Sequence, residues 1–315
     1  AWGTLIVLFS SLDIQAENYA FLVGVREYDR TELTSLTYTE KDVTDLAGVL
    51  RRRGYQPLNV VLMTQTLGAR KLRFLPMKKN ILSELALLLE ELRRDDTILV
   101  VFSGHGVQFG GEETFYFCPA DARLANRDSL ISIEAIYGLL QACKAKSSVM
   151  LVDACRNDPQ SRLSKAAREI ELNPAGVTAR PIPPGGVEAF YSCSKGQRSF
   201  EHPDLENGVF LNYAIEALDG KADLDGDGEI TMPEFKLFTV RQTQKFVRVE
   251  FGKRQIPEHI GKSRGILTLA KLTSERDGKT PTRRRNDPPA ENRREAGDIR
   301  SDNGLGLKLV WCPPG

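Results

Sequence analysis

Short uninterrupted runs of apolar, β-favouring residues alternate along most of the chain with stretches in which apolar residues recur every three or four positions. The uninterrupted runs predict strands that are buried on both faces, and the periodic stretches predict amphipathic helices. The predicted strands cover residues 19–25, 59–63, 97–103, 115–118, 149–152, 187–192 and 265–269. The predicted helices cover residues 36–53, 78–94, 133–143, 209–218 and 235–249.

Strands that alternate with helices predict an α/β fold with a mostly parallel sheet, helices on both faces and right-handed crossovers. Residues 156–186 interrupt this pattern. They are basic, contain Pro and Gly, and show little periodicity beyond a short helical stretch around residues 163–170. This composition predicts a mobile loop.

Composition excludes some partners and sites. The formal net charge is +1, which gives no reason to expect a nucleic acid or an anionic membrane as partner. The five cysteines are widely spaced and include no CxxC pair, so neither a disulfide framework nor a thiolate metal site is indicated. The sequence leaves the oligomeric state open.

The first residues resemble the end of a secretory signal peptide. An apolar run at residues 2–9 is followed by small and polar residues and then by Ile14-Gln15-Ala16, which suits cleavage after Ala16. This interpretation assigns residues 1–16 to a signal-peptide remnant and predicts export to a periplasm or the cell exterior. The alternative is that these residues form a first strand or helix of a cytoplasmic protein.

The last 43 residues (273–315) differ in composition from the rest of the chain. Residues 273–302 are rich in Arg, Asp, Glu, Pro and Gly, and they predict a disordered charged linker after a main domain at residues 17–272. Residues 303–315 return to a strand pattern and resemble the opening of the formylglycine-generating sulfatase-modifying family, with its Gly-Leu-Lys-Leu-Val and Pro-Pro-Gly segments. The resemblance implies a truncated second domain, and an ordinary C-terminal strand is the alternative.

Two polar segments directly follow predicted strands: Ser103-Gly104-His105-Gly106 and Asp153-Ala154-Cys155-Arg156-Asn157. The carboxyl ends of parallel strands meet at one edge of a sheet, so His105 and Cys155 are expected to lie close together. An imidazole beside a thiol promotes the nucleophilic thiolate, and the amides of Gly106 and Cys155 are candidates for an oxyanion hole. The sequence therefore predicts a cysteine peptidase, although a lone Cys can also be a small buried apolar residue.

Over about residues 18–270 the chain resembles the caspase–metacaspase–paracaspase family of cysteine peptidases. The resemblance rests on these SGHG and DAC segments, the first strand YAFLVGV, the helix start Lys41-Asp42 and the SCSKGQ segment at 192–197. His105 precedes Cys155 by 50 positions, as in caspases. The resemblance implies a caspase-like three-layer sandwich and peptide hydrolysis through an acyl-enzyme on Cys155, with no cofactor required for the chemistry. It points to a bacterial metacaspase or paracaspase type, but Arg156-Asn157 replaces the His-Ser common in metacaspases, which leaves the subfamily open.

Acidic residues indicate the substrate preference. Asp153 is two positions before Cys155 and is therefore expected on the same side of the sheet, where a carboxylate would favour a cationic side chain. Metacaspases and paracaspases have an Asp here and another at the start of the first helix, which match Asp153 and Asp42, with Ser103 as a polar wall. The resemblance thus implies protein or peptide substrates with Arg or Lys at the cleavage site. Alternatively, Asp42 complements its helix dipole and Asp153 orders the following loop.

Residues 223–234 match the ligand spacing of an EF-hand loop. The candidate Ca²⁺ ligands are Asp223, Asp225, Asp227, Glu229 and Glu234. Against this, Pro233 directly precedes the last ligand, and an Asp/Gly-rich turn that caps the next helix explains the same residues.

Two other classes of function remain open at this stage. One is a catalytically silent caspase-like scaffold that recruits partners, and the other is a regulatory front end for a C-terminal domain. Basic residues in the 156–186 loop and in the linker also make self-cleavage a hypothesis, with plain solvated charges as the alternative.

Overall fold

The computed structural model describes residues 16–109, 114–154, 181–194, 197–261 and 265–272, and the backbone of the short strands at 156–157, 299–300 and 309–310. Most of the predicted signal-peptide remnant, Cys155, the short helix around 163–170, and most of the linker and the C-terminal segment lie outside the described residues. The chain divides into two units, residues 1–274 and 275–315. In the second unit, Ile299–Arg300 and Leu309–Val310 pair as antiparallel strands.

Fourteen strands are described in the first unit: β1 (Asn18–Gly24), β2 (Val60–Met63), β3 (Thr97–Ser103), β4 (Gly106–Val107), β5 (Tyr116–Phe117), β6 (Ile131–Ser132), β7 (Ser147–Asp153), β8 (Arg156–Asn157), β9 (Val187–Tyr191), β10 (Glu201–His202), β11 (Asn207–Gly208), β12 (Glu229–Thr231), β13 (Glu258–Ile260) and β14 (Thr268–Lys271). The α-helices are α1 (Thr39–Arg52), α2 (Gln65–Gly68), α3 (Lys78–Glu91), α4 (Ile133–Ala142), α5 (Val209–Glu216) and α6 (Met232–Phe251). Short 3-10 turns lie at Pro57–Asn59, Leu72–Phe74 and Arg127–Ser129, and a π turn at Ala217–Lys221 follows α5.

A six-stranded sheet in the order β13-β9-β7-β3-β1-β2 forms the centre of the first unit. All its neighbouring pairs are parallel except β13 with β9. Its three middle strands, β1, β3 and β7, are almost entirely buried, which explains their continuous apolar sequences. The predicted mostly parallel α/β sandwich is confirmed.

Each face of the sheet has its own apolar core, because successive residues of a strand point to opposite faces. Phe21 and Val100 pack on the face covered by α3 and α4. Leu22 and Val101 pack on the face covered by α1, α5 and α6. Helices on both faces leave the ends of the strands as the accessible edge.

The edge strand β13 is missing from the sequence-based prediction. It is three residues long and contains Glu258 and His259, so it lacks the apolar run that identified the other strands. The run predicted at 265–269 corresponds to β14, which pairs with β12 outside the central sheet. Residues 156–157, predicted as loop, form β8, which pairs with β4.

Helix α6 begins at Met232, three residues before the predicted start. Thr231 and Glu234 form a reciprocal capping box around Pro233, and this satisfies the first amide groups of the helix. Among the described residues, no helix has both the length and the apolar character needed to cross a membrane.

Candidate active site

The two polar segments singled out in the sequence lie on neighbouring strands. Ser103, the last residue of β3, is in register with Asp153, the last residue of β7. Immediately beyond, the amide of Gly104 donates to the carbonyl of Asp153 at 3.1 Å. The next registered pair is Gly106 with Arg156, in β4 and β8. Strand pairing therefore carries the two segments side by side past the end of the central sheet.

His105 is held between these two registered pairs and is 7% exposed. Its Nε2 lies 2.7 Å from the carbonyl oxygen of Thr34, in the loop between β1 and α1. A carbonyl can only accept, so Nε2 carries the proton in this contact, and in the neutral ring the basic lone pair is on Nδ1. The Thr34 carbonyl thus sets both the orientation and the tautomer of His105.

Tyr28, in the same loop as Thr34, supports His105 from the other side. Its hydroxyl accepts the amide N–H of His105 at 3.0 Å and donates to the carbonyl of Cys118 at 3.3 Å. The two rings are 5.0 Å apart at a tilt of 51°. A Cβ on Gly104 would come within 2.7 Å of the Tyr28 hydroxyl, so only glycine allows this close approach.

A cavity of about 250 Å³ opens beside His105. It is bounded by residues from α1 and the loop before it, from β3 and β7, and from the segment before α5. Its lining residues are Thr34, Leu36, Thr39, Asp42, Ser103, Gly104, His105, Asp153, Arg198, Ser199, Phe200, Glu201 and Gly208. The cavity thus brings together the described candidate residues for catalysis and substrate binding, except Gly106, which lies in β4.

Asp42 is 1% exposed and is surrounded by hydrogen-bond donors. Its Oδ1 accepts from the Asn207 amide group and the Gly208 backbone, both at 2.9 Å, and its Oδ2 accepts from the Ser103 hydroxyl at 3.1 Å. Burial, together with the neighbouring charge of Asp153, raises the pKa of Asp42 to about 8. These contacts go well beyond a simple complement to the helix dipole, since they connect Asp42 to β3 and to the start of α5.

Asp153 is 7% exposed, and its Oδ1 accepts a hydrogen bond from the Ser199 hydroxyl at an O–O distance of 2.5 Å. Burial raises its pKa to about 6, the Ser199 hydrogen bond opposes that rise, and the charge of Glu201 adds to it. Glu201 also lines the cavity and accepts the amides of Thr37 and Tyr38 at 3.3 and 3.2 Å. The cavity therefore contains three carboxyl groups, of which sequence reasoning identified two.

Gly208 allows the carboxyl groups of both aspartates to come close to its backbone. A Cβ at this position would lie 2.8 Å from Asp153 Oδ2 and 3.3 Å from Asp42 Oδ2. Its backbone, at φ −62° and ψ 133°, is one that any residue adopts. Space beside the carboxylates, and not backbone conformation, is what requires a glycine here.

The other two histidines have different surroundings. His259 lies 2.6 Å from the Glu188 carboxylate at the edge of the central sheet. His202 packs edge-on against Phe246 and Phe251. Neither lines the cavity that contains Asp42 and Asp153.

The loop predicted to bind calcium brings three carboxylates together. Oxygens of Asp223, Asp225 and Asp227 lie within 4.8 Å of one another. The Glu234 carboxylate accepts the amides of Leu224 and Thr231 and so joins the loop to the start of α6. The Glu229 carboxylate instead contacts Lys271 and Thr268 in β14, and it is not part of the group formed by the three aspartates.

Sequence reasoning missed several cavity residues because their chemistry is ordinary until the fold assembles them. Thr34 contributes only a backbone carbonyl, and Gly208 contributes only space. Ser199 and Glu201 follow the SCSKGQ segment by two and four residues. The exit of β9 toward the same sheet edge is the signal that would have pointed to them.

The sequence profile of the caspase domain, peptidase family C14, matches residues 17–264. The match covers most of the chain, and the protein therefore belongs to the caspase-domain family of cysteine peptidases. No curated protein matches the sequence.

Solved structures share the fold. Caspase-1 from Spodoptera frugiperda is similar with a TM-score of 0.55 and 15% identity, over 83% of this chain and 94% of that one. Protein GSU0716 from Geobacter sulfurreducens has a TM-score of 0.53 and 14% identity, over 78% of this chain and 94% of that one. At this level of identity the similarity establishes the caspase-like fold.

Proposed function

We propose that this protein is a cysteine endopeptidase that cleaves peptide bonds after Arg or Lys. The observation that carries the proposal is the single cavity in which His105 lies beside the buried carboxyl groups of Asp42 and Asp153. A base next to a cation-binding pocket is the arrangement needed to present the bond after a basic residue for attack.

Cys155 is the proposed nucleophile and His105 the proposed base. The strand register supports this assignment. Ser103 pairs with Asp153 just before His105 and Cys155 in the sequence, and Gly106 pairs with Arg156 just after them. Nδ1 of His105 takes the thiol proton, the thiolate attacks the scissile carbonyl, and the same proton then passes to the leaving amine. Water next hydrolyses the thioester and regenerates the thiol. The amides of Gly106 and Cys155 are the proposed donors to the oxyanion.

Asp42, Asp153 and Ser103 form the proposed pocket for the basic side chain, and Glu201 adds a third acidic group at its edge. A guanidinium or ammonium group that enters the cavity would meet both of these acidic side chains. Burial is the main cause of the raised pKa values of Asp42 and Asp153. The positive charge of a bound basic side chain would favour the ionised form of both groups.

Hydrolysis of matched fluorogenic peptides ending in Arg, Lys or Asp tests the proposal. Wild-type protein should cleave the Arg and Lys peptides, prefer them over the Asp peptide, and lose this activity in Cys155→Ala. A preference for the Asp peptide would contradict the proposed pocket. Complete inactivity of the wild-type protein, with and without calcium, would favour a silent scaffold or a latent precursor.

A further inference from the structure

Gln255 is a fully buried residue in the segment between α6 and β13. It does not line the cavity but contacts residues that do. Its Oε1 accepts the amide N–H of Phe200 at 3.1 Å. Its Nε2 donates to the carbonyl of Ser192 at 3.0 Å and to the hydroxyl oxygen of Ser199 at 3.1 Å. One amide group thus connects Ser192, directly after β9, to Ser199 and Phe200, which line the cavity.

The two backbone partners determine which way the amide of Gln255 faces. The Phe200 N–H can only donate, so it requires the oxygen of Gln255. The Ser192 carbonyl can only accept, so it requires the nitrogen. The nitrogen is therefore the atom that faces Ser199, and Ser199 must accept a hydrogen bond from it.

This orientation directs the proton of Ser199. A hydroxyl group has one proton, and the bond from Gln255 uses an oxygen lone pair, not that proton. The proton is available to Asp153, whose Oδ1 is 2.5 Å away. A donor aimed at a carboxyl oxygen stabilises the ionised form over the protonated one.

We propose that Gln255 is a positioning residue for the cation pocket: through Ser199 it keeps Asp153 as a hydrogen-bond acceptor, in the ionised form that binds a basic side chain. The expected effect on cleavage of Arg peptides rests on the proposed function. The protonation of Asp153 can be measured whether or not the protein cleaves such peptides.

Other titratable or charged side chains line the same cavity as Asp153. Asp42 faces it from α1, Glu201 from β10, Arg198 from the segment before β10, and His105 from the end of β3. All four remain unchanged in the variants below, so they set the same background for each measurement.

The carboxyl titration of Asp153, followed by NMR in Cys155→Ala protein, tests the inference directly. Gln255→Glu replaces the donor toward Ser199, and Ser199→Ala removes the hydroxyl that it acts through. Each should raise the titration midpoint of Asp153 by about half to one pH unit. The double variant should shift it no further than one of them alone, because both changes break the same chain of bonds.

Gln197→Glu is the matched control. It also adds an acid to this wall, but Gln197 contacts the amide of Ile256 through Oε1, an acceptor that Glu retains. Its Asp153 midpoint should stay closest to that of the parent protein. An Asp153 midpoint that is unchanged in both Gln255→Glu and Ser199→Ala overturns the inference, and so does an equal shift in Gln197→Glu.

The active protein gives a second readout. In Gln255→Glu and Ser199→Ala the KM for the Arg peptide at pH 6 should rise about threefold to tenfold, while kcat changes less. Ser199→Thr, which keeps the hydroxyl, should restore the KM. Shifted Asp153 midpoints in a protein that shows no Arg cleavage would support the role of Gln255 and count against the proposed function alone.

Discussion

Asp42 and Asp153 each place a carboxyl oxygen close to the backbone of Gly208. A single added carbon at Gly208 would come within 2.8 Å of an Asp153 oxygen and 3.3 Å of an Asp42 oxygen. Both carboxyl groups are buried, and each receives hydrogen bonds from groups that the fold fixes in place. If the proposed pocket binds a basic side chain, its two acidic groups are already held in place.

Gly208→Ala should impair binding of the basic side chain, because the added methyl group would collide with the Asp153 carboxyl group and displace it. We expect the KM for the Arg peptide to rise at least about tenfold and the free energy of unfolding to fall by about 1–3 kcal/mol. Steady-state kinetics and urea unfolding measure the two effects. Gly138→Ala is the control: it adds a methyl group in open space on α4 and should leave the KM unchanged. An unchanged KM in Gly208→Ala would contradict the pocket.

Asp42→Asn should make the protein more stable at neutral pH. A pKa raised to about 8 means that the folded protein keeps a proton that the unfolded chain has already released. This carboxyl therefore lowers the free energy of unfolding as pH rises from about 4 to about 8. Asn cannot ionise, and its oxygen still accepts the bonds from Asn207 and Gly208. We expect a gain of about 1 kcal/mol or more at pH 7 that shrinks toward pH 4.

Urea unfolding at several pH values tests this, with Asp45→Asn as control. Asp45 is a half-exposed acid on the same helix, paired with Lys41, and its substitution should change stability by no more than about 0.5 kcal/mol at any pH. Asp42→Asn should also reduce cleavage after Arg about tenfold to a hundredfold. A variant that is less stable than wild type at pH 7 but not at pH 4 would contradict the raised pKa.

The KM for Arg substrates should fall as pH rises from 5 to 7. Asp153, with a pKa raised to about 6, is protonated at the lower end of this range and ionised at the upper end. A peptide with citrulline in place of Arg is a neutral analogue of the same shape, and its KM should lack this dependence. Equal pH dependence for both peptides would assign the effect to the proposed Cys155–His105 pair instead of the pocket.

Tyr28→Phe should lower kcat about tenfold and leave the KM for the Arg peptide unchanged. It removes the acceptor of the His105 amide and the donor to Cys118, while the ring still fills the space under Gly104. Unpaired buried polar groups cost about 1–3 kcal/mol, so stability should also fall. Tyr55→Phe is the control, because it removes a buried hydroxyl that donates to Leu269 in β14. It should cost stability without lowering kcat.

Calcium at millimolar concentration is expected to raise the melting temperature if the carboxylates of Asp223, Asp225 and Asp227 bind it. The double substitution Asp223→Asn and Asp227→Asn should abolish this shift, because it removes the charges of two of the three aspartates that lie together. Asp204→Asn, at an exposed acid elsewhere, should retain it. Titration calorimetry without heat at millimolar calcium would rule out the site.

Most strands and helices could be predicted because their signals are local. A strand such as β3 or β7 is buried on both faces and must be apolar at every position, and this is visible without any knowledge of its neighbours. The edge strand β13 was not predicted because its pairing with β9 needs backbone hydrogen bonds but no apolar run. Residues 156–157 also lack an apolar run, so the sequence predicts a loop there. They form β8 through backbone pairing with β4.

The sequence by itself determined that His105, Ser103 and Asp153 would stand at strand ends, because an apolar run that stops at a polar residue marks the edge of the sheet. It also suggested Asp42 through a family resemblance. Only the tertiary structure decided that the Thr34 carbonyl contacts His105, that both aspartates lie close to Gly208, and that Gln255 donates a hydrogen bond to Ser199. These relationships join segments far apart in the chain, and a carbonyl, a missing side chain or a buried amide acquires its role only from the groups that folding brings within hydrogen-bond distance.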